Sequence, residues 1–353
     1  MRIGLVAGPW IPIPPVTYGG IERVVDSLAR GLVAAGHEVL LAAPSESTCP
    51  VPIVPGMRAA VPHEMGSTTS ELSHVVRAYE GLGDVDIIHD HTMAGPLYVH
   101  SPRGTPVVTT IHGPLNANAV DIYRAIARRA AVIAISRDQA SHAPDVPVTR
   151  VIHHGMDVSP VPVGSGTGGY LCFVGRSCPD KGLLEAIMVA REAGLPLRIA
   201  VKMREHDEVR YFHEVIEPLL GPNEDFVGEV DDATKYRLMG GALAFLNPIQ
   251  WSEPFGLVMI EALATGTPVI GTRIGSAPEI IEHGRTGFLG KTGDLAGFVG
   301  AAAGLSRAAC RKAVVDQFSV ERMVDQHIRL FRELIESRPA GGVPHTAHVH
   351  QNL

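Results

Sequence analysis

Two glutamates separated by seven residues, Glu253 and Glu261, flank an apolar run with helix-boundary residues at both ends. Pro254 suits the first turn of a helix and Gly266 suits the position after its end, so we predict a helix over residues 255–265. At 1.5 Å per residue, the two carboxylates would lie roughly 10–12 Å apart. Carboxylates at this spacing can hold two hydroxyl-bearing groups at opposite ends of an extended ligand.

The amino-terminal end of this predicted helix is suited to an anion between the two carboxylates. Free backbone N–H groups near Phe255 and Gly256, together with the helix dipole, favour a diphosphate there. A second interpretation is equally compatible with the spacing. In it, Glu253 is a charge that caps the helix and Glu261 lies on a solvated helix face.

Two cations follow a predicted strand at residues 170–174. Arg176 offers a planar fork of donors and Lys181 a compact charge, and both match phosphate oxygens. Lysine is scarce in this chain, so one beside an arginine in a strand-end loop indicates an anion site. The alternative is an ordinary solvated loop charge.

A pair of glycines, Gly19 and Gly20, stands between the first predicted strand and the first predicted helix. Glycines before a helix allow the backbone to approach a phosphate closely. The segment lacks the G-x-G-x-x-G pattern of dinucleotide-binding turns, and a simple tight turn would explain it equally well.

Histidines concentrate at predicted strand ends, with His112 followed by a glycine. Their spacing matches no zinc pattern, and imidazole also hydrogen-bonds sugars without a metal, so we predict that His112 contacts a ligand. The pair Asp84 and Asp86 imitates a metal-binding D-x-D but precedes a buried strand. We therefore expect no metal site and no cofactor.

The composition favours two domains and a small anionic ligand. A chain of 353 residues exceeds what one core usually organises, and its apolar content of 45% can fill two. A net charge of −7 and the lack of a basic run argue against nucleic acid, and at most peripheral membrane contact is expected. The sequence indicates no oligomeric state.

The four cysteines fit neither a zinc spacing nor a disulfide framework, so reduced thiols are expected. The chain starts on a strand-like segment without the features of a signal peptide. No apolar run approaches the length of a membrane span. We therefore expect a cytoplasmic protein.

Short apolar runs alternate with helical patterns, which is typical of parallel sheets with crossover helices. We predict an α/β amino-terminal domain over residues 1–157, a linker over 158–169 rich in Gly, Pro and Ser, and a second α/β domain over 170–318. A last helix over 319–337 and a disordered tail over 341–353 follow. The predicted strands cover residues 3–7, 38–42, 85–89, 106–111, 131–135, 149–152, 170–174, 197–201, 225–227, 243–246 and 268–271.

Taken together, these motifs resemble retaining glycosyltransferase family 4, over about residues 1–338. The glycine pair, the His-Asp-His-Thr and His-Gly strand ends, the G-R…K-G loop and the E-x7-E segment occur in the family's order. The resemblance implies a GT-B fold, in which two Rossmann-like domains face each other across a cleft. Two positions depart from the pattern: His154 replaces a frequent Asn, and Ser276 replaces part of a frequent Gly-Gly pair.

The resemblance also implies a role for each site residue in transferring a hexose from a nucleotide diphosphate sugar, taken as UDP-linked, to a hydroxyl acceptor. Arg176 and Lys181 would neutralise the diphosphate, Glu253 would hold the sugar and Glu261 the ribose. His112 would contact the sugar from the other domain. The implied donor-binding residues are Gly19, Gly20, Arg176, Lys181, Glu253, Phe255, Gly256, Leu257 and Glu261; the catalytic ones are Arg176, Lys181, Glu253 and His112.

By the same resemblance, no divalent metal is needed, and the acceptor contacts fall on the variable loops over residues 11–18 and 49–69. Bacterial glycoconjugate or natural-product biosynthesis is the expected setting. Two other functions share this fold. A sugar-nucleotide epimerase would change the donor without an acceptor, and a non-catalytic sugar-nucleotide-binding protein would release no nucleoside diphosphate.

Overall fold

The computed structural model describes residues 1–16, 19–98 and 104–337. It contains two six-stranded sheets in which every pair of neighbouring strands is parallel. Parallel strands joined by helices define an α/β fold with two Rossmann-like units. The predicted tail at residues 341–353, with its three histidines, lies outside the described residues.

The first sheet has the strand order β2-β1-β3-β4-β5-β6. Successive side chains of a strand point to opposite faces, and the neighbours Ile87 and Ile88 are both fully buried. Both faces of this sheet are therefore covered, as is usual for parallel sheets. Its strands are β1 (Arg2–Val6), β2 (Glu38–Ala42), β3 (Ile87–Asp90), β4 (Val107–Thr110), β5 (Ala131–Ala134) and β6 (Arg150–Val151).

The second sheet has the order β12-β11-β10-β7-β8-β9. Its edge strand β12 was missed by the sequence prediction, because a short segment with glycine at both ends lacks the β-branched residues that mark a strand. The strands are β7 (Leu171–Arg176), β8 (Leu197–Lys202), β9 (Glu224–Gly228), β10 (Ala244–Asn247), β11 (Val269–Thr272) and β12 (Gly287–Gly290).

Helices cover the faces of both sheets. In the first unit they are α1 (Gly20–Ala34), α2 (Thr68–Leu82), α3 (Ala117–Ile126) and α4 (Arg137–Ser141). In the second they are α5 (Leu183–Glu192), α6 (His206–Tyr211), α7 (Asp232–Gly241), α8 (Leu257–Ala264), α9 (Ala277–Ile280), α10 (Val299–Ala303) and α11 (Arg307–Gln317). The last helix is α12 (Val320–Glu336).

Helix α12 packs on the first unit although it follows the second in sequence. Its buried residues Met323 and Phe331 belong to the core that also holds β1 and α1. Gly31 of α1 makes the close approach possible, because a Cβ atom there would lie 2.5 Å from Cγ2 of Val324. The chain thus passes from the second unit back to the first at its end.

The segment between the two sheets lies against the second unit. Gly164 donates its N–H to the carbonyl of Thr265 at 3.0 Å, and Gly166 donates to Gly240 at 3.0 Å. The guanidinium of Arg307 donates to the carbonyl of Gly164 at 2.8 Å. Among the described residues, no helix is both long and apolar enough to cross a lipid bilayer.

Candidate functional site

A cleft of about 370 Å³ lies between the two sheets, at the carboxyl ends of their strands, where ligands bind in folds of this kind. Side chains from both units line it. All the site residues singled out in the sequence are among them: Gly19, Gly20, His112, Arg176, Lys181, Glu253, Phe255, Gly256, Leu257 and Glu261.

Lys181 and Glu253 form an ion pair inside the cleft. The ammonium group of Lys181 also lies 5.7 Å from the ring centre of Trp251. Glu253 is only 9% exposed, and its Oε2 is shielded from solvent without a hydrogen-bond partner among the described residues. The pair therefore places a cation beside a carboxylate oxygen that lacks a hydrogen-bond partner among the described residues, and Lys181 is not a solvated loop charge.

Arg176 lies at the end of β7, where its guanidinium contacts the buried carboxylate of Glu208 at 3.3 Å. The ammonium of Lys202 lies 3.6 Å from the same carboxylate. Burial raises the pKa of Glu208, but hydrogen bonds from the N–H groups of Arg204 and Glu205 and the nearby cations outweigh it and lower the pKa overall. Glu208 is thus held as an anion that orients Arg176.

Helix α8 begins two residues later than predicted. Gly256 adopts a left-handed conformation with φ of 83°, so the helix can start only at Leu257. Glu253 therefore precedes the helix and is not its cap. Gly275 packs against the backbone of Glu253, where a Cβ atom would lie 2.6 Å from the Glu253 nitrogen. Ser276, one of the departures from the family pattern, donates its hydroxyl to the carbonyl of Phe255.

Glu261 forms the inner end of a charged chain that crosses the cleft. Its Oε1 lies 2.6 Å from Nζ of Lys235, which also lies 3.0 Å from Asp232. Asp232 in turn pairs with Arg23 of α1, in the other unit. The side chain of Glu261 is only 14% exposed, so the interpretation as a solvated helix face is wrong.

The glycine pair brings the first unit close to the start of α8. A Cβ atom at Gly19 would lie 2.7 Å from Pro15 and 2.8 Å from the carboxylate of Glu22. A Cβ atom at Gly20 would lie 3.5 Å from Cδ1 of Leu257. Gly19 is thus crowded by its own unit, whereas Gly20 lies within van der Waals range of the second unit.

Five imidazoles pack together beneath the cleft, and two of them, His112 and His154, line it. His91 and His112 share a hydrogen bond of 2.9 Å, and the ring of His154 stacks on His112 with centres 5.5 Å apart. His89 and His327 continue the stack, with ring centres 5.1 Å apart. Burial lowers the pKa of every ring in the group, to about 4 for His112. His112 therefore acts as an uncharged hydrogen-bonding group.

Because the pKa values of these histidines are lowered by burial, we expect the protein to lose stability in mild acid. In the unfolded chain, imidazole has a pKa near 6.5, whereas burial lowers the pKa of His112 and His327 to about 4. The unfolded state binds more protons between these values, so the stabilisation present above about pH 6.5 is lost as the pH falls. We expect each of these two rings to lower the free energy of unfolding by about 2 kcal/mol from pH 7 to pH 5.

Thermal unfolding midpoints measured from pH 7.5 to 5 test this expectation. The variant His327→Asn removes one titrating ring and should show a shallower decrease than the unmodified protein. A midpoint that stays constant or rises on acidification would contradict the buried, uncharged state of the stack.

Sequence reasoning missed several polar groups of the cleft. The side-chain amide of Asn247 and the indole N–H of Trp251 are shielded from solvent and have no hydrogen-bond partner among the described residues. Nδ1 of His112 shares this property. Trp251 lies two residues before Glu253, and Asn247 directly follows the predicted strand at residues 243–246, so the position of each next to a predicted feature was a signal in the sequence. Unpartnered polar atoms of this kind can meet a polar ligand.

The two units also contact each other beside the cleft. The carboxylate of Glu279 accepts hydrogen bonds from the N–H groups of Arg137 and Asp138, at 3.0 and 2.9 Å, and from Nε2 of His153 at 2.8 Å. Burial raises the pKa of Glu279, but these donors outweigh it and lower the pKa overall. Ser252 donates to Asp138 at 2.6 Å. The loop that carries Glu253 is thereby fixed to the first unit.

The aspartates considered for metal binding have a structural role. The carboxylate of Asp86 accepts a hydrogen bond of 2.7 Å from the N–H of Arg2, and the carbonyl of Asp84 accepts one of 3.0 Å from the Arg2 guanidinium. Within residues 1–16, 19–98 and 104–337, His, Cys, Asp and Glu side chains form no group of three or more that could hold a metal ion.

Two family models match the chain, one over each unit. Residues 18–160 match "Glycosyltransferase Family 4", and residues 162–305 match "Glycosyl transferases group 1". Among curated proteins, a phosphatidyl-myo-inositol mannosyltransferase of Mycolicibacterium smegmatis is 30% identical over 338 residues, which cover 86% of this chain and 84% of the relative. A glycogen synthase of Mycobacterium tuberculosis is 28% identical, with 85% of each chain covered.

Solved structures of similar fold include glycosyltransferases. AviGT4, described as involved in avilamycin A biosynthesis, has a TM-score of 0.71 and 28% identity, with 96% of this chain and 98% of that chain covered. Anabaena HepE, solved in complex with UDP and glucose, has a TM-score of 0.72 and 18% identity, with 94% and 99% covered. These neighbours place the two facing sheets in the GT-B fold.

Proposed function

The chain belongs to glycosyltransferase family 4, and on that premise we propose that it is a retaining enzyme that transfers a hexose from a nucleoside diphosphate sugar to a hydroxyl acceptor. One observation carries the proposal: two cations, Arg176 and Lys181, share a cleft with the start of α8 and the carboxylates Glu253 and Glu261. A nucleotide sugar has the same sequence of chemical groups, with hydroxyls at both ends and two phosphates between them.

The cations act on the leaving group. When the bond between the anomeric carbon and the phosphate oxygen breaks, its electron pair stays on the nucleoside diphosphate. Arg176 and Lys181 stabilise that growing negative charge, and the N–H groups at the start of α8 add to it. The acceptor hydroxyl attacks from the same face, and its proton passes to the departing phosphate oxygen. Neither a protein nucleophile nor a metal ion is needed in this scheme.

The remaining groups orient the donor. Lys235 binds Oε1 of Glu261, which leaves Oε2 to accept hydrogen bonds from the ribose hydroxyls. Oε2 of Glu253, which has no hydrogen-bond partner among the described residues, accepts hydrogen bonds from hydroxyls of the transferred sugar. His112, uncharged and with Nδ1 unpartnered among the described residues, hydrogen-bonds the sugar from the opposite unit. Gly20 gives the donor close access to the backbone of α1.

A UDP-linked hexose is the proposed donor, in bacterial glycoconjugate or natural-product biosynthesis. UDP and glucose occupy HepE, which has the same fold. The relatives also support hexosyl transfer, because one is named a mannosyltransferase and another a glycogen synthase. The involvement of AviGT4 in avilamycin A biosynthesis supports the natural-product setting.

Metal chelation provides a direct prediction. Because the donor's charge is met by Arg176, Lys181 and backbone N–H groups, we expect the release of nucleoside diphosphate to continue at an unchanged rate in excess EDTA. The rate is measured before and after chelation, and again after adding Mg²⁺ or Mn²⁺. Loss of turnover on chelation, with recovery on adding either ion, would contradict the metal-free mechanism.

Replacement of Glu261 by glutamine tests ribose binding. The ribose does not change during the reaction, so Glu261 contributes equally to the ground state and the transition state. We expect Glu261→Gln to raise the donor KM about tenfold with little change in kcat. Glu282→Gln, at a carboxylate that pairs with Arg285 outside the cleft, is the matched control and should leave both constants unchanged.

Product analysis separates the proposed reaction from the two alternatives. A transferase gives free nucleoside diphosphate and a glycoside with the anomeric configuration of the donor. An epimerase would convert the nucleotide sugar without an acceptor, and a binding protein would release no nucleoside diphosphate. NMR of the reaction mixture distinguishes all three, and an inverted glycoside would contradict retention.

A further inference from the structure

The first unit contains a second, smaller cavity of about 180 Å³. We call it the arginine pocket. One wall is the amino-terminal half of α2, and the other is the chain segment before that helix. Its lining residues are Pro9, Arg58, Ala59, Val61, Glu64, Thr69, Ser70, Ser73, His74 and Arg77.

The arginine pocket lies at the same edge of the first sheet as the cleft. Its outer wall is joined to the chain after β1, because Val61 donates its N–H to the carbonyl of Pro9 at 2.9 Å. On the α2 side, Nε2 of His74 donates to the carbonyl of Ala7 at 2.9 Å. The chain that continues from Ala7 and Pro9 reaches Gly20, which lines the cleft. The two sites are therefore close together in the sequence.

Two guanidinium groups face this cavity without an acidic partner. Within the described part of the chain, neither Arg58 nor Arg77 forms an ion pair, and Nε of Arg77 is shielded from solvent without a hydrogen-bond partner. Other arginines of the described residues do have acidic partners, for example Arg150 with Glu333 and Arg191 with Glu224. Unpaired arginines that share a cavity favour an oxyanion.

The other titratable groups of the pocket leave its charge positive. Glu64 lines it, but its carboxylate accepts the hydroxyl of Ser70 and its other oxygen lies 3.6 Å from the imidazole of His63. His74 contributes no charge at neutral pH, because burial lowers its pKa to about 4. Two arginines against one carboxylate give a local excess of positive charge on a chain whose net charge is −7.

We propose that the arginine pocket binds an acidic group of the sugar acceptor, a phosphate or a carboxylate. The inference rests on the proposed glycosyl transfer. The cavity is less than half the volume of the cleft, so it suits a charged group and not a second nucleotide. Arg58 and Arg77 supply planar forks, and the hydroxyls of Thr69 and Ser73 supply further donors. The acceptor would extend from the arginine pocket to the cleft, with its reacting hydroxyl towards His112.

Binding of small anions tests the proposal without requiring turnover. The protein is saturated with UDP, so that Arg176 and Lys181 are occupied, and inorganic phosphate or acetate is titrated by calorimetry. We expect one anion site, weakened about tenfold in Arg58→Ala and in Arg77→Gln. Arg124→Ala, at an exposed arginine of α3 that pairs with Asp121, should bind the anion like the unmodified protein. The tighter probe identifies the acidic group.

Two results would overturn the proposal: neither anion binds, or the Arg58 and Arg77 variants bind as tightly as the Arg124 variant. Because Arg58 is exposed, we expect Arg58→Ala to fold normally. Anion binding by this variant therefore tests the proposal even if Arg77→Gln is unstable. Failure of UDP to bind would count against the proposed donor. In that case, titration of the same variants without UDP still decides whether the pocket binds anions.

Discussion

Replacing Lys181 with alanine is expected to lower kcat by about 10²–10³ and to change the donor KM far less. Lys181 meets charge that grows as the glycosidic bond breaks, so its contribution is larger in the transition state than in the bound donor, as for an oxyanion donor. Arg176→Ala should behave similarly. Both constants are obtained from the rate of nucleoside diphosphate release over a range of donor concentrations.

The control must separate this effect from loss of structure. Glu253 is buried and would lose its ion-pair partner, so the thermal unfolding midpoint of Lys181→Ala is measured alongside the rates. Lys312→Ala removes an exposed lysine that pairs with Asp316 on α11, and it should leave kcat unchanged. A Lys181 variant that folds normally and retains most of its kcat would show that this ammonium does not meet the leaving group.

Replacing Gly182 with alanine is expected to destabilise the protein by more than about 3 kcal/mol, because it combines backbone strain with a clash. Gly182 has φ of 75°, and a Cβ atom there would lie 1.9 Å from the carbonyl oxygen of Pro248. This contact joins the loop of Lys181 to the loop that leads to Glu253. Beside it, the backbone N–H of Gln250 donates to the carbonyl of Asp180 at 2.8 Å. A backbone shift that relieves the clash would therefore move Lys181 away from Glu253.

Gly194→Ala is the matched control, since Gly194 has φ of 67° but nothing within 4 Å of an added Cβ atom. It should cost about 1 kcal/mol, which is the strain without the clash. Denaturant unfolding and kcat are compared for the two variants. Equal destabilisation of both would mean that the two loops do not meet as closely as the structure shows.

The sheets were largely predictable from sequence because parallel strands leave a local signal. Strands such as β1 and β10 are mostly apolar because both faces of a parallel sheet are covered. Such a run, bounded by turn residues, can be located in the sequence. Edge strand β12 has no such signal. Its Gly287 is instead needed because a Cβ atom there would lie 2.0 Å from the carbonyl oxygen of Val269. That requirement comes from the neighbouring strand and cannot be read locally.

Ten residues of the cleft could be singled out one by one from the sequence, but their partners could not. Lys181 and Glu253 were each singled out by motif, whereas their ion pair joins segments 72 residues apart. The charged chain from Arg23 through Asp232 and Lys235 to Glu261 joins α1, α7 and α8, and only the assembled units bring these together. Likewise, the histidines at strand ends become a buried stack because α12 adds His327.

The most direct test of the central claim compares the two ends of the proposed donor site. The claim places the diphosphate between the loop of Lys181 and the start of α8, with the ribose on Glu261. Steady-state kinetics of nucleoside diphosphate release from a nucleotide sugar are measured for Lys181→Ala and Glu261→Gln in parallel. We expect the first variant to lose mainly kcat and the second to raise mainly the donor KM. A larger loss of kcat in Glu261→Gln than in Lys181→Ala would contradict this placement of the donor.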